Sequence, residues 1–205
     1  VPGNAAVNSN DLHSDIKLLL ARANKIASTY IDDSELSIFN KYAAGEWLKV
    51  SNELVDIVEA SLKVSALSNG AFDITVGPLV NLWGFGPEHN LDDIPMAEEI
   101  QHRKEFVGFE NIFVRKDPPA LKKKFAGLYC DLSAIAKGWG VDQVAELLEN
   151  KDFHNYLVEI GGEIRAKGFN AKGGEWRIGV SSPKENNEIE KVIKVTNVGV
   201  ATSGD

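Results

Sequence analysis

Tyr156-Leu157-Val158-Glu159-Ile160-Gly161-Gly162-Glu163-Ile164-Arg165-Ala166-Lys167 is the stretch that decides the class of fold. Two short runs of β-forming residues flank a pair of glycines, the pattern of two strands joined by a tight turn. A connection this short joins antiparallel strands, whereas parallel strands need a long crossover. Gly173-Gly174 punctuates the chain in the same way. Further β-like runs are Asn111 to Arg115, Leu128 to Leu132, Trp176 to Val180 and Val192 to Val200. Three segments carry helical periodicity instead. The first runs from Asp11 to about Ser28 through Leu12, Ile16, Leu19, Leu20, Ala23 and Ile26. The second holds Leu54, Ile57, Val58, Ser61, Leu62 and Ser65, with Ser51 as N-cap and Asn69-Gly70 as its close. The third holds Val141, Val144, Ala145 and Leu148, following Asp131-Leu132-Ser133. The expected class is α+β, an antiparallel β-sheet with helices packed on one face. Gly84 to Pro95 reads as a long loop, and residues 1–205 as one domain with a subdomain division near 84–110.

The 205 residues carry 30 acidic against 22 basic side chains, a formal net charge of −8. With 43% hydrophobic and 25% charged residues the chain can bury a core, which excludes a disordered linker. The longest basic block is Lys122-Lys123-Lys124, so a nucleic-acid footprint is not expected. No apolar run approaches the ~20 residues of a membrane-spanning helix. A single cysteine, Cys130, excludes both a disulfide framework and a thiolate metal cluster. Val1-Pro2-Gly3 is not an initiator start, and the last residues, Val200 to Asp205, lack the usual charged tail, so a fragment is expected.

Three constellations could carry chemistry. Gly70 to Gly86 gathers small residues, Asp73, Thr75, Phe72, Trp83 and Phe85. Glycine lets a ligand approach the backbone closely, and the rings offer walls on which a heteroaromatic ring stacks. The competing reading is structural: Asp73 or Thr75 caps a short helix with Pro78 in its first turn, and Trp83 is core. Asp131 to Gly138 lies at a strand-to-helix junction, where free N–H groups and Lys137 attract phosphate oxygens. Asp131 or an exposed carbonyl there could hold a hard cation such as Mg²⁺, and the alternative is a helix capped by Ser133. Ser28 to Asn40 offers hydroxyls and carboxylates to a ribose or adenine, or is a helix exit followed by a polar turn. His13, His89, His102 and His154 have no metal-ligand spacing, and none stands where a Ser-His-Asp triad would need it.

Taken together, the chain resembles the ApbE family, the FAD:protein FMN transferases. The resemblance rests on Ser34 to Asn40, Gly70 to Gly86, Asp131 to Gly138, Val158-Glu159-Ile160-Gly161-Gly162-Glu163-Ile164, Trp176-Arg177-Ile178-Gly179-Val180 and Ala201-Thr202-Ser203-Gly204-Asp205, in that order. It implies an ApbE/T-fold-like domain truncated at both ends. It also implies a Mg²⁺-dependent enzyme that splits FAD, its substrate, at the diphosphate, releases AMP and joins FMN to a threonine or serine of a partner protein. Tyr30, Ala71, Phe72, Asp73, Asp131, Lys137, Thr202 and Ser203 match FAD-contacting or flavin-site positions of the family. Ala134 matches the residue giving the metal an oxygen, which for alanine is the main-chain carbonyl. The nucleophile belongs to the partner, so no catalytic side chain is assigned. On this reading Asp73→Ala would weaken FAD binding far more than it lowers the melting temperature.

The family further implies an acceptor flavoprotein subunit of a respiratory or electron-transfer complex. It implies the bacterial periplasm, with the full-length protein anchored to the inner membrane as a lipoprotein. The alternatives are an FAD pyrophosphatase giving free FMN and AMP, and an FAD-binding module without catalysis. The remaining metal ligands are expected outside these residues.

Overall fold

The computed structural model describes residues 9–87, 94–182 and 189–203. In chain order the elements are α1 (Ser9–Ala27), α2 (Glu35–Lys41), β1 (Leu48–Lys49), α3 (Asn52–Leu67), α4 (Gly77–Leu82), α5 (Ala97–Lys104), β2 (Ile112–Arg115), β3 (Ala120–Lys123), α6 (Ser133–Asn150), β4 (Tyr156–Ile160), β5 (Glu163–Lys167), β6 (Trp176–Ser181), β7 (Ile189–Val195) and β8 (Val198–Val200). All strand pairings within the sheets are antiparallel, so the α+β expectation holds, but the strands divide among three small sheets. The residues cluster into two units, 1–20 with 137–205, and 21–136. Both α1 and α6 run across the division, while 84–110 lies inside the second unit. Among the described residues no helix is long and apolar enough to cross a membrane.

In the first unit β4 and β5 form the hairpin read from the glycine pair. Gly161 and Gly162 take φ of 56° and 92°, a turn that side chains with a Cβ adopt only with strain. β8 adds to the other side of β5. One face of the hairpin carries Tyr156 and Val158, which are buried with Val141, Val144, Ala145 and Leu148 of α6; Leu12, Ile16, Leu19 and Leu20 of α1 pack on the same cluster. The same face carries the polar residues of β5, and α6 meets them in turn. Lys137 pairs with Glu163 at 3.4 Å, Asp142 with Arg165 at 2.9 Å, and Glu149 with Lys167 at 2.9 Å. The expected single strand Val192 to Val200 is instead β7 and β8, which pair with different partners. Asn197 breaks it: its φ is 54°, and its Oδ1 accepts from Gly168 N at 3.0 Å while Thr196 Oγ1 donates to Gly168 O at 2.5 Å.

Glu149 ties this unit together. Its carboxylate accepts from the Tyr156 hydroxyl and from Lys167, and these donors hold its pKa below the ordinary 4.5. Burial and that same carboxylate push the Tyr156 hydroxyl up to about 12. A depressed carboxyl pKa means the folded state binds fewer protons, so the contribution is present above 4.5 and lost as pH falls through the folded value. Glu149→Gln is therefore expected to lower the denaturation midpoint at neutral pH, and the gap from wild type to close as the pH is taken below 4.5. Chemical denaturation at a series of pH values reads this directly.

In the second unit the sheet order is β1-β3-β2, and α3 packs against β2. α3 begins at the expected cap, with Leu54 N donating to Ser51 Oγ at 3.1 Å, and ends where Asn69 and Gly70 turn to positive φ. Its inward stripe Leu54, Val55, Ile57 and Val58 is buried. α2 occupies what reads in sequence as a polar turn: Ser34 Oγ accepts from Ser37 N at 3.0 Å and starts a short helix whose Leu36 and Phe39 are buried. Of the expected long loop, 88–93 lie outside the described residues.

The expected strand Leu128 to Leu132 is not a strand. It is irregular chain whose alternate residues Leu128, Cys130 and Leu132 are nonetheless fully buried. Its main chain is satisfied by partners distant in sequence. The Asn40 side chain donates to Cys130 O at 2.9 Å and accepts from Cys130 N at 2.8 Å. Beside it Lys123, 1% exposed, donates from Nζ to the carbonyls of Asn40, Leu128 and Ala126 at 2.5, 3.1 and 3.3 Å.

Candidate functional site

The second unit brings two of the sequence stretches side by side. Asp131 N donates to Ile74 O at 2.7 Å, and Val76 bridges Tyr129 in parallel. At that approach Gly77 leaves no room for a side chain, since a Cβ would stand 2.6 Å from Tyr129 O. The close packing sets the segment holding Ala71, Phe72 and Asp73 next to the start of α6. Ala71 is exposed and Phe72 half-buried, with Phe72 N donating to Ser68 Oγ at 3.0 Å.

Asp73 is engaged within the protein. Its Oδ1 accepts from Thr75 N and Thr75 Oγ1, both at 2.7 Å, and its Oδ2 from Phe109 N at 2.9 Å. Thr75 is fully buried, and its hydroxyl also accepts from Gly108 N at 2.7 Å. Neither residue caps α4, whose N-cap position is Val76 without a side-chain bond, although Pro78 does stand in its first turn. Asp73 and Thr75 thus clamp the 73–75 turn to 108–109. This revises the consequence of Asp73→Ala: it leaves Thr75 and the Phe109 N–H without acceptors. The expected cost is roughly 2 kcal/mol of stability, by the usual penalty for orphaned buried donors. Thermal unfolding checks it, with Asp73→Asn, which keeps one acceptor oxygen, expected to fall between.

At the helix start Asp131 Oδ1 accepts from Ser133 N at 2.7 Å, so Asp131 rather than Ser133 supplies the capping side chain. Its second oxygen has no hydrogen bond in the described structure. Ala134 follows in the first turn of α6. Tyr30 is 63% exposed, with its hydroxyl donating to Phe85 O at 3.2 Å, which ties it to the far end of the Gly70–Gly86 stretch. In that stretch Asn81 Oδ1 is a buried acceptor without a partner.

The first unit gathers its own group at the Gly161-Gly162 turn. Lys137 Nζ donates to Gly161 O at 3.1 Å and pairs with Glu163, and Thr202 Oγ1 donates to Gly162 O at 3.2 Å. Glu159 Oε1 accepts from Gly162 N at 2.7 Å. Ser203 is exposed. Glu159 and Glu163 were not singled out from the sequence. Their signal was the pair of acids placed one on each side of Ile160-Gly161-Gly162, which the turn directs at its own backbone and at Lys137.

Among the described residues no three His, Cys, Asp or Glu side chains gather as a metal site. Mg²⁺ demands about six oxygen ligands in octahedral array, and a single main-chain carbonyl at Ala134 does not make that set. The donors present here therefore do not fit the ion on their own. Cys130 is fully buried, and burial pushes its thiol above the ordinary range, so it is no nucleophile.

The family described as the ApbE family matches residues 4–205. A protein of Vibrio cholerae named FAD:protein FMN transferase is 44% identical over 199 residues, 97% of this chain and 59% of that protein. A Haemophilus influenzae protein of the same name is 42% identical over 208 residues, 99% of this chain and 60% of its own length. The chain thus spans about three fifths of the curated relatives it matches. Among solved structures, the flavin transferase ApbE from Vibrio cholerae superposes with a TM-score of 0.92 at 43% identity, covering 99% of this chain and 65% of that one. The apo form of the Pseudomonas stutzeri flavinyl transferase ApbE gives 0.88 at 34% identity, covering 99% and 64%.

Proposed function

The chain belongs to the ApbE family, and from that premise we propose that the protein carrying these residues transfers FMN from FAD to a threonine or serine hydroxyl of a partner protein. The acceptor oxygen forms a bond to the FMN phosphorus, the bond to the bridging diphosphate oxygen breaks, AMP leaves, and the hydroxyl gives up its proton. A reaction of this kind needs little covalent work from the protein and depends on positioning and charge neutralisation.

The observation that carries the reading is the main-chain tie between Asp131 and Ile74, which sets the N-terminus of α6 beside the Gly70–Gly86 stretch. At that helix start Ser133 N is taken by Asp131 Oδ1, and Ile135 N and Ala136 N by Leu132 O, so Ala134 N is the first-turn N–H left, among the described residues, to favour a phosphate oxygen. The exposed Ala71 and Tyr30 and the half-buried Phe72 are assigned to the organic part of the substrate. Within the first unit, the half-exposed Lys137 and the Thr202 hydroxyl both bond the Gly161-Gly162 turn, and both belong to the proposed flavin-site residues. Magnesium dependence, a periplasmic location and a respiratory flavoprotein as acceptor belong to this proposal, and no step is assigned to the ion. Incubation of the full-length protein with FAD, Mg²⁺ and an acceptor subunit, followed by intact-mass analysis of the acceptor, tests it.

A further inference from the structure

The outward face of the β1-β3-β2 sheet gathers cations that this chemistry does not use. The register sets Phe113 opposite Lys122, Arg115 opposite Ala120, and Lys49 on the other side of Ala120. These residues therefore share one face, opposite buried Ile112, Leu121 and Lys123. Trp47, entering β1, joins them: Arg115 Cζ lies 4.8 Å and Lys122 Nζ 4.9 Å from its ring centroid, and Lys122 Nζ also lies 4.9 Å from that of Phe113. Some cations elsewhere find carboxylates, as Lys116 does Glu59 and Lys41 does Asp32, both at 2.8 Å. Lys49, Arg115 and Lys122 have none among the described residues, although the chain carries an excess of acid. The exposed Glu46 and Asp117, next to this face in sequence, pair with none of them.

We propose that this face docks an acidic segment of a partner protein. Cations stand over both rings, which remain 37% (Trp47) and 40% (Phe113) exposed, so the surface presents positive charge held against aromatic faces. A bilayer surface calls for rings that insert, and single-stranded nucleic acid for ring faces left open to bases. Arg115 Nε is spent on Pro118 O at 3.0 Å, which leaves its two Nη groups to fork onto a carboxylate. On an extended segment, side chains of one face recur about every 7 Å, the same pitch as Phe113 and Arg115 along β2. The remainder of an acidic protein repels such a segment, which confines its docking to this face. The proposal is independent of FMN transfer and stands or falls without an assay of it.

The test is titration of the protein with a short alternating Asp-Glu peptide at low ionic strength, following the indole N–H resonance of Trp47, which Trp47→Phe identifies. A saturable shift is expected, weakened roughly tenfold by Lys122→Glu, as for a lost charge pair at an interface, and suppressed by salt. Lys49→Glu, at an exposed position outside the ring stack, is expected to weaken it as well and serves if Lys122→Glu disturbs the fold. Phosphatidylglycerol vesicles are expected to leave the resonance unmoved. No shift with the peptide, an undiminished shift in both variants, or a response to vesicles stronger than to the peptide would overturn the proposal.

Discussion

Lys123→Met is expected to lower the unfolding free energy by about 3 kcal/mol, within the range for removing one partner of a buried polar cluster. Methionine matches the lysine stem in length but gives nothing to the carbonyls of Asn40, Ala126 and Leu128, which the ammonium gathers from α2 and from the irregular chain before α6. The pH dependence separates this from a simple packing defect. Desolvation holds the Lys123 pKa below its ordinary 10.5, so between the folded value and 10.5 the unfolded chain binds more protons. Wild-type stability therefore gains from this group as pH rises through that window, while Lys123→Met has no such gain. The gap between them should widen with pH. Chemical denaturation at neutral pH and near pH 10 measures it, and a constant gap would assign the loss to packing alone.

Lys137→Ala in the full-length protein is expected to reduce FMN transfer about 100-fold, the scale for losing one charge or donor aimed at a transferring group. The side chain is 48% exposed, and its partner Glu163 lies at 3.4 Å, so the cost in stability should stay under about 1 kcal/mol. Glu163→Gln, which frees Lys137 without removing it, should lose far less activity. Parallel loss of activity and melting temperature in Lys137→Ala would instead make the residue a strut for the β4–β5 turn.

The parts legible in the sequence were those whose cause is local. Alternation about Gly161-Gly162 specifies a hairpin because period and turn residue agree. Ser51 specifies a helix start because the N–H that donates to its hydroxyl, that of Leu54, lies three residues on. Leu128 to Leu132 alternates like a strand, but Asn40, remote in sequence, and Lys123, on the preceding strand, take over backbone bonds a sheet neighbour would have made. Lys123 itself hides in Lys122-Lys123-Lys124. Its inward direction follows from sharing a face with Leu121, which only the placement of β3 makes visible. Asp73 reads in the sequence either as a helix cap or as a ligand contact, and its three protein donors come from Thr75 and from Phe109, a residue no local pattern connects to it.

Intact-mass analysis of an acceptor subunit, after incubation with the full-length protein, FAD and Mg²⁺, tests the central claim most directly. The account predicts a mass increase equal to FMN less one water, located on a threonine or serine and accompanied by one AMP for each acceptor modified. An acceptor of unchanged mass, whether FAD stays intact or is split to free FMN and AMP, would contradict it.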